Sequence, residues 1–166
     1  MKSEVIIVAN YREADHPDLL KLLLELHTNY FKSTAVEGLQ ELDKEFDIAA
    51  SYEDYLSAIE KNEGDIWKIL LAKNGDGILV GFIIGRIDAD YSLISGVMGI
   101  VEDWYVDSAF RGQGNGFLLY SELEKWFIER GCQQVLSEAW VGNELGIKMH
   151  QQLGFFESEV KFRKKL

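Results

Sequence analysis

The sequence has only one cysteine and one proline, which excludes a disulfide framework and a proline-rich linker. The single cysteine, Cys132, allows neither an internal disulfide framework nor a zinc site built on cysteines. A lone thiol fits a reducing compartment, so we expect a cytoplasmic protein. With one proline and no Gly/Ser-rich linker or repeat, the chain predicts a single domain over residues 1–166. No spacing of histidines, cysteines and carboxylates suggests a metal ion, and we expect none.

Long hydrophobic runs and positive charge are also missing. No apolar stretch approaches the roughly 18 residues of a membrane span. The short run at residues 5–9 lacks the length and cleavage pattern of a signal peptide, so we expect no membrane partner. Lys and Arg number 17 against 28 Asp and Glu, a net charge of −11. This balance argues against a nucleic-acid groove and favours cationic partners.

Acidic residues are concentrated in one segment of the chain. Ten carboxylates lie in residues 35–65, against two lysines. Two interpretations stay open here: the carboxylates line a cleft for a polyamine-like substrate, or they form a solvated acidic face.

Apolar residues recur at helical spacing in some segments and at the spacing of strands in others, which predicts a mixed α/β fold. Helices are expected from Asp15 and Pro17 through the following leucines, once or twice within 35–65, and over 115–130 and 144–153. Strands are expected over 5–9, 66–72, 78–87, 96–106, 135–140 and 155–162, with a hairpin at the Asn-Gly-Asp-Gly sequence of 74–77. This order predicts one sheet with helices packed on it.

A glycine-rich turn follows the strand that ends at Val106 and opens the next helix. It reads Arg111, Gly112, Gln113, Gly114, Asn115, Gly116. Exposed amides at a helix start, bare backbone and an arginine suit an anion such as pyrophosphate, although glycines alone also fit a plain turn. A dinucleotide fold would place such a turn in its first βαβ unit. A phosphate-binding NTPase loop would end in Gly-Lys-Ser/Thr, which is absent here.

The Arg-x-x-Gly-x-Gly turn resembles the acetyl-CoA signature of the GNAT N-acetyltransferase superfamily. The resemblance continues through Glu102–Val106, Arg130-Gly131 and the closing Leu153-Gly154-Phe155, and spans roughly residues 66–162. It implies a mixed, mainly antiparallel central sheet flanked by helices. It also implies acetyl-CoA as co-substrate, a substrate side in residues 1–65, an acetyl-CoA core in 66–166 and, by analogy with relatives, a homodimer.

The resemblance also assigns cofactor contacts. The backbone amides of Arg111 through Gly116 would hold the pyrophosphate of coenzyme A. The pantetheine arm would pair with the strand end, and an amide there would polarise the thioester carbonyl. The residues implied are Trp104, Tyr105 and Val106 on the strand, Gly112, Gln113, Gly114 and Asn115 in the turn, and Asn143 in a later loop.

Acetyl transfer needs an amine without its proton, and Glu102 is the candidate base. Strand alternation places Glu102 on one face with Trp104 and Val106, and Asp103 on the other with Tyr105. The alternative for Glu102 is a solvated strand-end carboxylate, and Asp103 is either a substrate contact or a solvated charge. His150 stands where many superfamily members carry a tyrosine that protonates the leaving thiolate. It could act as that acid, contact the cofactor sulfur, or only pack.

A narrower resemblance comes from Ser137-Glu138-Ala139-Trp140, Asn143 and the Met149-His150 segment, which are similar to the aminoglycoside 6′-N-acetyltransferases. It implies that Glu138 helps to hold a polycationic sugar, while Trp140 is either a stacking platform or a core residue. The sequence thus predicts direct acetyl transfer to a primary amine of a small cationic substrate, first an aminoglycoside 6′-amine. The alternatives are a polyamine or protein amine as acceptor, or a coenzyme A-binding sensor without catalysis.

Overall fold

Five strands form one mixed sheet whose spatial order follows the chain. The computed structural model describes residues 5–33, 48–88, 96–162 and 164. The strands are β1 (Ile7–Asn10), β2 (Trp67–Lys73), β3 (Leu79–Asp88), β4 (Met98–Val106) and β5 (Gln134–Ser137). Neighbours from β1 to β4 are antiparallel, and β5 joins β4 in parallel. The predicted mixed, mainly antiparallel sheet is confirmed.

Helices cover both faces of this sheet. They are α1 (His16–Ser33), α2 (Ile48–Glu60), α3 (Asn115–Glu129) and α4 (Glu144–Gln152). Leucines of α1 and α2 pack with Phe82 and Tyr105 on one face, while α3 packs on the other face with Ile83 and Val101. β3 reads as a nearly continuous apolar run because both of its faces are buried. Within the described ranges, no helix is long and apolar enough to cross a membrane.

The predicted hairpin joins β2 to β3. Asn74 Oδ1 accepts hydrogen bonds from the amides of Asp76 and Ile78 at 3.1 and 2.9 Å, and Gly77 adopts a φ of +80°. This local chemistry is legible from sequence because each contact is made within five residues. The hairpin and the two strands beside it are confirmed.

At the carboxyl end one strand prediction is wrong and another is too long. Residues 155–162 form no strand, and Phe156 and Phe162 are 85% and 91% exposed, since no neighbouring strand pairs with this described segment. The strand predicted over 135–140 ends at Ser137, where its pairing with β4 stops. In both places the apolar residues were present, but hydrogen-bonding partners decide whether a strand forms.

The acidic segment is described in part. α2 confirms one of the helices expected within 35–65, and residues 34–47 lie outside the described residues. Of the acids in the described part, Glu60 and Glu53 contact His16 at 2.6 and 3.2 Å. These contacts raise the pKa of His16, with the hydrogen bond to Glu60 as the largest cause. Part of the negative charge therefore ties α1 to α2.

Candidate active site

A bulge in β4 brings two carboxylates to the same face of the sheet. Across from β4, Ile84 pairs with Asp103 and the next residue, Gly85, pairs with Val101, so Glu102 is an extra residue without a cross-strand partner. An extra residue of this kind interrupts the alternation of side chains. The prediction that Glu102 and Asp103 lie on opposite faces is therefore wrong.

Contacts on the α1–α2 face show where both carboxylates lie. The Tyr55 hydroxyl on α2 donates to Asp103 Oδ2 at 2.8 Å. Glu102 forms an ion pair with Arg86, whose guanidinium lies 6.0 Å from the centre of the Trp67 ring. Trp67 packs against the α1–α2 core.

The two carboxylates differ in electrostatic environment. Desolvation by burial raises the pKa of Asp103 to about 6; the hydrogen bond from Tyr55 opposes that shift, and the neighbouring Glu102 adds to it. Glu102 shares Arg86 with Asp88, whose carboxylate lies 2.8 Å from the guanidinium. One carboxyl group of the pair is thus poised to exchange a proton near neutral pH, and the other is held in an ion pair.

β4 and β5 separate immediately beside this bulge. Their register ends at Val101 opposite Ser137. β4 continues to Val106 and, within the described residues, no strand pairs with that stretch on the β5 side. The backbone of Trp104 to Val106 therefore presents an edge to which an extended ligand could bind.

The predicted cofactor turn forms the start of α3. Gly112 and Gly114 have φ values of +73° and +86°, and a Cβ at either would point into open space. The first intrahelical bond runs from the Leu118 amide to the Gly114 carbonyl, so the amides before Leu118 have no acceptor inside the helix. Free backbone amides at the start of a helix, with no side chains covering them, can bind an anionic phosphate group.

Side chains of the turn hold its shape. Arg111 Nε donates to the Val106 carbonyl at 2.7 Å, and its guanidinium lies 5.3 Å from the centre of the Tyr105 ring. The buried Asn115 amide donates to the Phe110 carbonyl at 2.8 Å, and Gln113 Nε2 donates to the Ala109 carbonyl at 3.2 Å. The turn is thus tied to the end of β4.

The missing side chain of Gly116 makes room for a neighbour, while its amide is among those that have no acceptor inside the helix. A Cβ at this position would lie 3.3 Å from Cζ2 of Trp104. Trp104 in turn packs against Tyr120 of α3, with ring centres 5.8 Å apart. The absence of a side chain at Gly116 therefore lets α3 approach β4 closely.

His150 lies beside the separation of β4 and β5. Its ring contacts Trp104 and Phe155 edge to face, with centres 5.8 and 5.2 Å apart. Its Nε2 lies 2.7 Å from Ser137 Oγ, and its Nδ1 lies 2.7 Å from the Gly146 carbonyl. The structure therefore brings His150 to the same strand end as the carboxylate pair, on β4's other face.

Three predicted residues occupy the surface near β5. Asn143 caps α4, because its Oδ1 accepts from the Gly146 amide at 3.0 Å. Glu138 forms an exposed ion pair with Lys161. Trp140 lies beyond the end of β5 and is 37% exposed, so the alternative that placed it in the core is wrong.

Sequence reasoning missed several residues of this region. Tyr55 and Arg86 reach the carboxylate pair from distant elements. A cavity of about 470 Å³ lies between α1 and the end of β4, lined in part by Lys21, Glu25 and Asp107. Nothing in a linear pattern signals such contacts, because they are made across more than ten residues of chain.

The comparisons with known proteins agree with this geometry. The family model described as "Acetyltransferase (GNAT) family" matches residues 21–155, and the chain belongs to that family. Its sequence is 33% identical over 99 residues to "Aminoglycoside N(6′)-acetyltransferase type 1" of Stenotrophomonas maltophilia. That match covers 57% of this chain and 65% of the relative, so it falls short of two thirds of the relative's length.

Solved structures share the fold over nearly the whole chain. "Aminoglycoside N-Acetyltransferase AAC(6′)-Iy in Complex with CoA" superposes with a TM-score of 0.74 at 21% identity, covering 99% of this chain and 97% of that one. The aminoglycoside 6′-N-acetyltransferase AAC(6′)-IG of Acinetobacter haemolyticus gives 0.70 at 25% identity, covering 96% and 99%. The expected GNAT fold is thus confirmed.

Proposed function

We propose that this protein transfers the acetyl group of acetyl-CoA directly to a primary amine of a small cationic substrate, in the first instance the 6′-amine of an aminoglycoside. The observation that carries the proposal is the arrangement along β4. The carboxylate pair lies at the point where β5 separates, and the glycine turn lies at the other end. Three residues of open strand, Trp104 to Val106, lie between them and span roughly 10 Å.

The fit to acetyl-CoA rests on these two ends and the edge between them. Amides of Arg111 through Gly116 bind the pyrophosphate, and a hydrogen bond to a charged group is worth about 1.5–3 kcal/mol. The two amides of a pantetheine arm pair with the backbone of Trp104 to Val106, and an amide there polarises the thioester carbonyl. Asn143 adds a polar contact from the start of α4.

The carboxylate pair supplies the base. A substrate ammonium group must lose a proton before nitrogen can attack the thioester carbon. Glu102 is the base predicted from sequence. The structure favours a division of roles in which Asp103, whose pKa is raised to about 6, accepts the proton and Glu102 attracts the ammonium group.

Three observations support a cationic acceptor. The chain carries a net charge of −11, the carboxylate pair lies in the site, and relatives are named for aminoglycosides. Glu138, which is paired with Lys161, and Trp140 are exposed near β5, and we propose them as contacts to a sugar. The homodimer and the cytoplasmic location stay predictions.

The test is release of free coenzyme A from acetyl-CoA across a panel of aminoglycosides, polyamines, amino acids and a lysine peptide. We expect turnover with aminoglycosides and identification of the acetylated 6′-amine by mass spectrometry and NMR. Turnover confined to polyamines or to the peptide would replace the acceptor while keeping the reaction. No turnover, with acetyl-CoA still raising the melting temperature, would favour a coenzyme A sensor.

A further inference from the structure

Both ring nitrogens of His150 are occupied within the protein. A carbonyl oxygen can only accept a hydrogen bond, so Nδ1 carries a hydrogen and donates it to Gly146 at 2.7 Å. Nε2 faces Ser137 Oγ at 2.7 Å. It accepts the hydroxyl proton when the ring is neutral and donates to Oγ when the ring is an imidazolium. His150 therefore has no nitrogen left to approach a ligand directly.

The ring is also fixed in this orientation. Trp104 and Phe155 pack edge to face against it, and the Gly146 carbonyl lies one helical turn before it on α4. A ring rotation that freed Nε2 would lose the hydrogen bonds to Ser137 and Gly146 together. Any proton that His150 delivers to the cleft must pass through Ser137.

Ser137 lies at the point where β5 separates from β4, which is where the proposed function places the thioester. It is the last residue of β5 and the last one paired with β4, opposite Val101 and next to the bulge at Glu102 and Asp103. Its side chain is half-buried. The hydroxyl thus stands at the apex of the opening between the two strands, with the carboxylate pair at the same level of the sheet.

We propose that Ser137 Oγ is the group that protonates the sulfur of coenzyme A, with His150 as the positioning residue that restores the serine proton. This inference rests on the proposed acetyl transfer. When the tetrahedral intermediate collapses, the C–S bond breaks and its electron pair stays on sulfur. The Ser137 proton moves to sulfur, and Oγ takes the Nε2 proton of the His150 imidazolium, which becomes neutral.

The protons balance over one turnover. The substrate nitrogen passes from an ammonium to an amide and loses two protons, one before attack and one from the tetrahedral intermediate. The carboxylate pair accepts each proton in turn and passes it to water. One proton ends on the thiol of coenzyme A and one is released to solvent. His150 regains its proton from water before the next turnover.

The first test needs no acceptor amine. Thiolate formation by coenzyme A bound to the protein is followed by ultraviolet absorbance as a function of pH. A serine hydroxyl that donates to the sulfur stabilises the thiolate, so Ser137→Ala should raise the pKa of the bound thiol by at least about half a pH unit. Ser137→Thr should leave it unchanged, as should the matched control Ser158→Ala, which alters an exposed serine. Equal titration in all four proteins would overturn the proposal.

The second test uses an acceptor that the panel identifies. Ser137→Ala and His150→Phe, which keeps a ring against Trp104, should each lower kcat by about 10- to 100-fold with little change in the KM of acetyl-CoA. The double variant should lose no more than either single one, because the two residues act in one relay. Losses that multiply, or a covalent acetyl group on Ser137, would contradict the relay. Absence of turnover in the wild-type protein would sink the proposed function and leave the thiol titration to decide on Ser137.

Discussion

At the residue scale, the missing Cβ atoms of three glycines shape the turn at residues 111–116. Gly112 and Gly114 expose backbone because a side chain at either would point away from the protein. Gly116 lacks a side chain for another reason, its approach to Trp104. The sequence shows three similar glycines, and the structure separates two whose missing side chains face open space from one whose missing side chain makes room for Trp104.

Replacing Gly114 by aspartate should weaken coenzyme A binding by at least about 10-fold, because the carboxylate would repel the pyrophosphate and occupy its approach. Gly77→Asp is the matched control: it has a φ of +80° against +86° and equally open surroundings, but lies in the β2–β3 hairpin. Both variants should lose comparable stability from backbone strain. Calorimetric titration with coenzyme A should separate them, and equal affinities would remove the assignment of the turn.

The carboxylate pair predicts a specific pH profile. Because the raised pKa of Asp103 is about 6, its basic form is lost as pH falls through that value. The kcat/KM of the acceptor should therefore decline below about pH 6, and Asp103→Asn should abolish this limb together with most activity. Glu102→Gln should retain the limb while raising the KM of the acceptor. A limb that persists in Asp103→Asn and vanishes in Glu102→Gln would return the base role to Glu102.

At the scale of elements, the bulge in β4 organises the site. Val101 and Trp104 pack on the α3 face, while both residues between them emerge on the opposite face. The residues before and after a bulge keep the faces they would have in a regular strand, because the extra residue disturbs the pairing only locally. The bulge places two carboxylates on a face where a regular strand would place one. It lies next to the residue at which pairing with β5 ends.

Deleting Glu102 should therefore give a folded protein with little activity. Removing the extra residue restores regular pairing and leaves Trp104, Tyr105 and Val106 on their present faces. We expect the thermal transition to remain cooperative, and the rate of acetyl transfer to fall at least about 100-fold. At the same sub-saturating acceptor concentration, Glu102→Gln, which retains the bulge, should lose only about 10-fold, because it attracts the ammonium group less strongly. Equal rates in the two variants would mean that the bulge geometry has no part in the reaction.

At the scale of the whole molecule, charge is the dominant feature. A net charge of −11 attracts polycations over distances comparable to the Debye length, which is about 10 Å at 0.1 M salt. Among the described acids, Glu53, Glu60 and Glu63 are paired with His16 or Lys68. A polycation is therefore attracted by the combined electrostatic field of all the acidic residues as well as by individual carboxylates.

Salt should then discriminate between acceptors. Raising ionic strength from about 0.02 to 0.5 M should lower kcat/KM for an acceptor with four or more amines by about 10-fold, and for a monoamine by less than about 2-fold. The comparison is made at saturating acetyl-CoA, so that weakened cofactor binding does not contribute. Identical salt dependence would show that the acidic field plays no part in capturing the acceptor.

Local signals in the sequence were sufficient for most of the elements and for the glycine turn at the start of α3. Asn74 and Gly77 made the hairpin predictable, and the glycines at 112–116 marked the start of α3, since each contact in such turns is local. Short apolar runs predicted β2, β3 and β4, because strands that are covered on both faces are apolar along most of their length. The family resemblance added the mixed, mainly antiparallel arrangement of the sheet.

Tertiary structure decided what depends on partners far away in the chain. Pairing with β3 created the bulge that moved Glu102 to the face of Asp103, and the end of pairing at Val101 limited β5 to Ser137. Burial against α2 raised the pKa of Asp103. Packing of α4 brought His150 to Ser137. Sequence determines the local conformation and the chemistry available, whereas register, burial and contacts across the chain decide which of those groups meet.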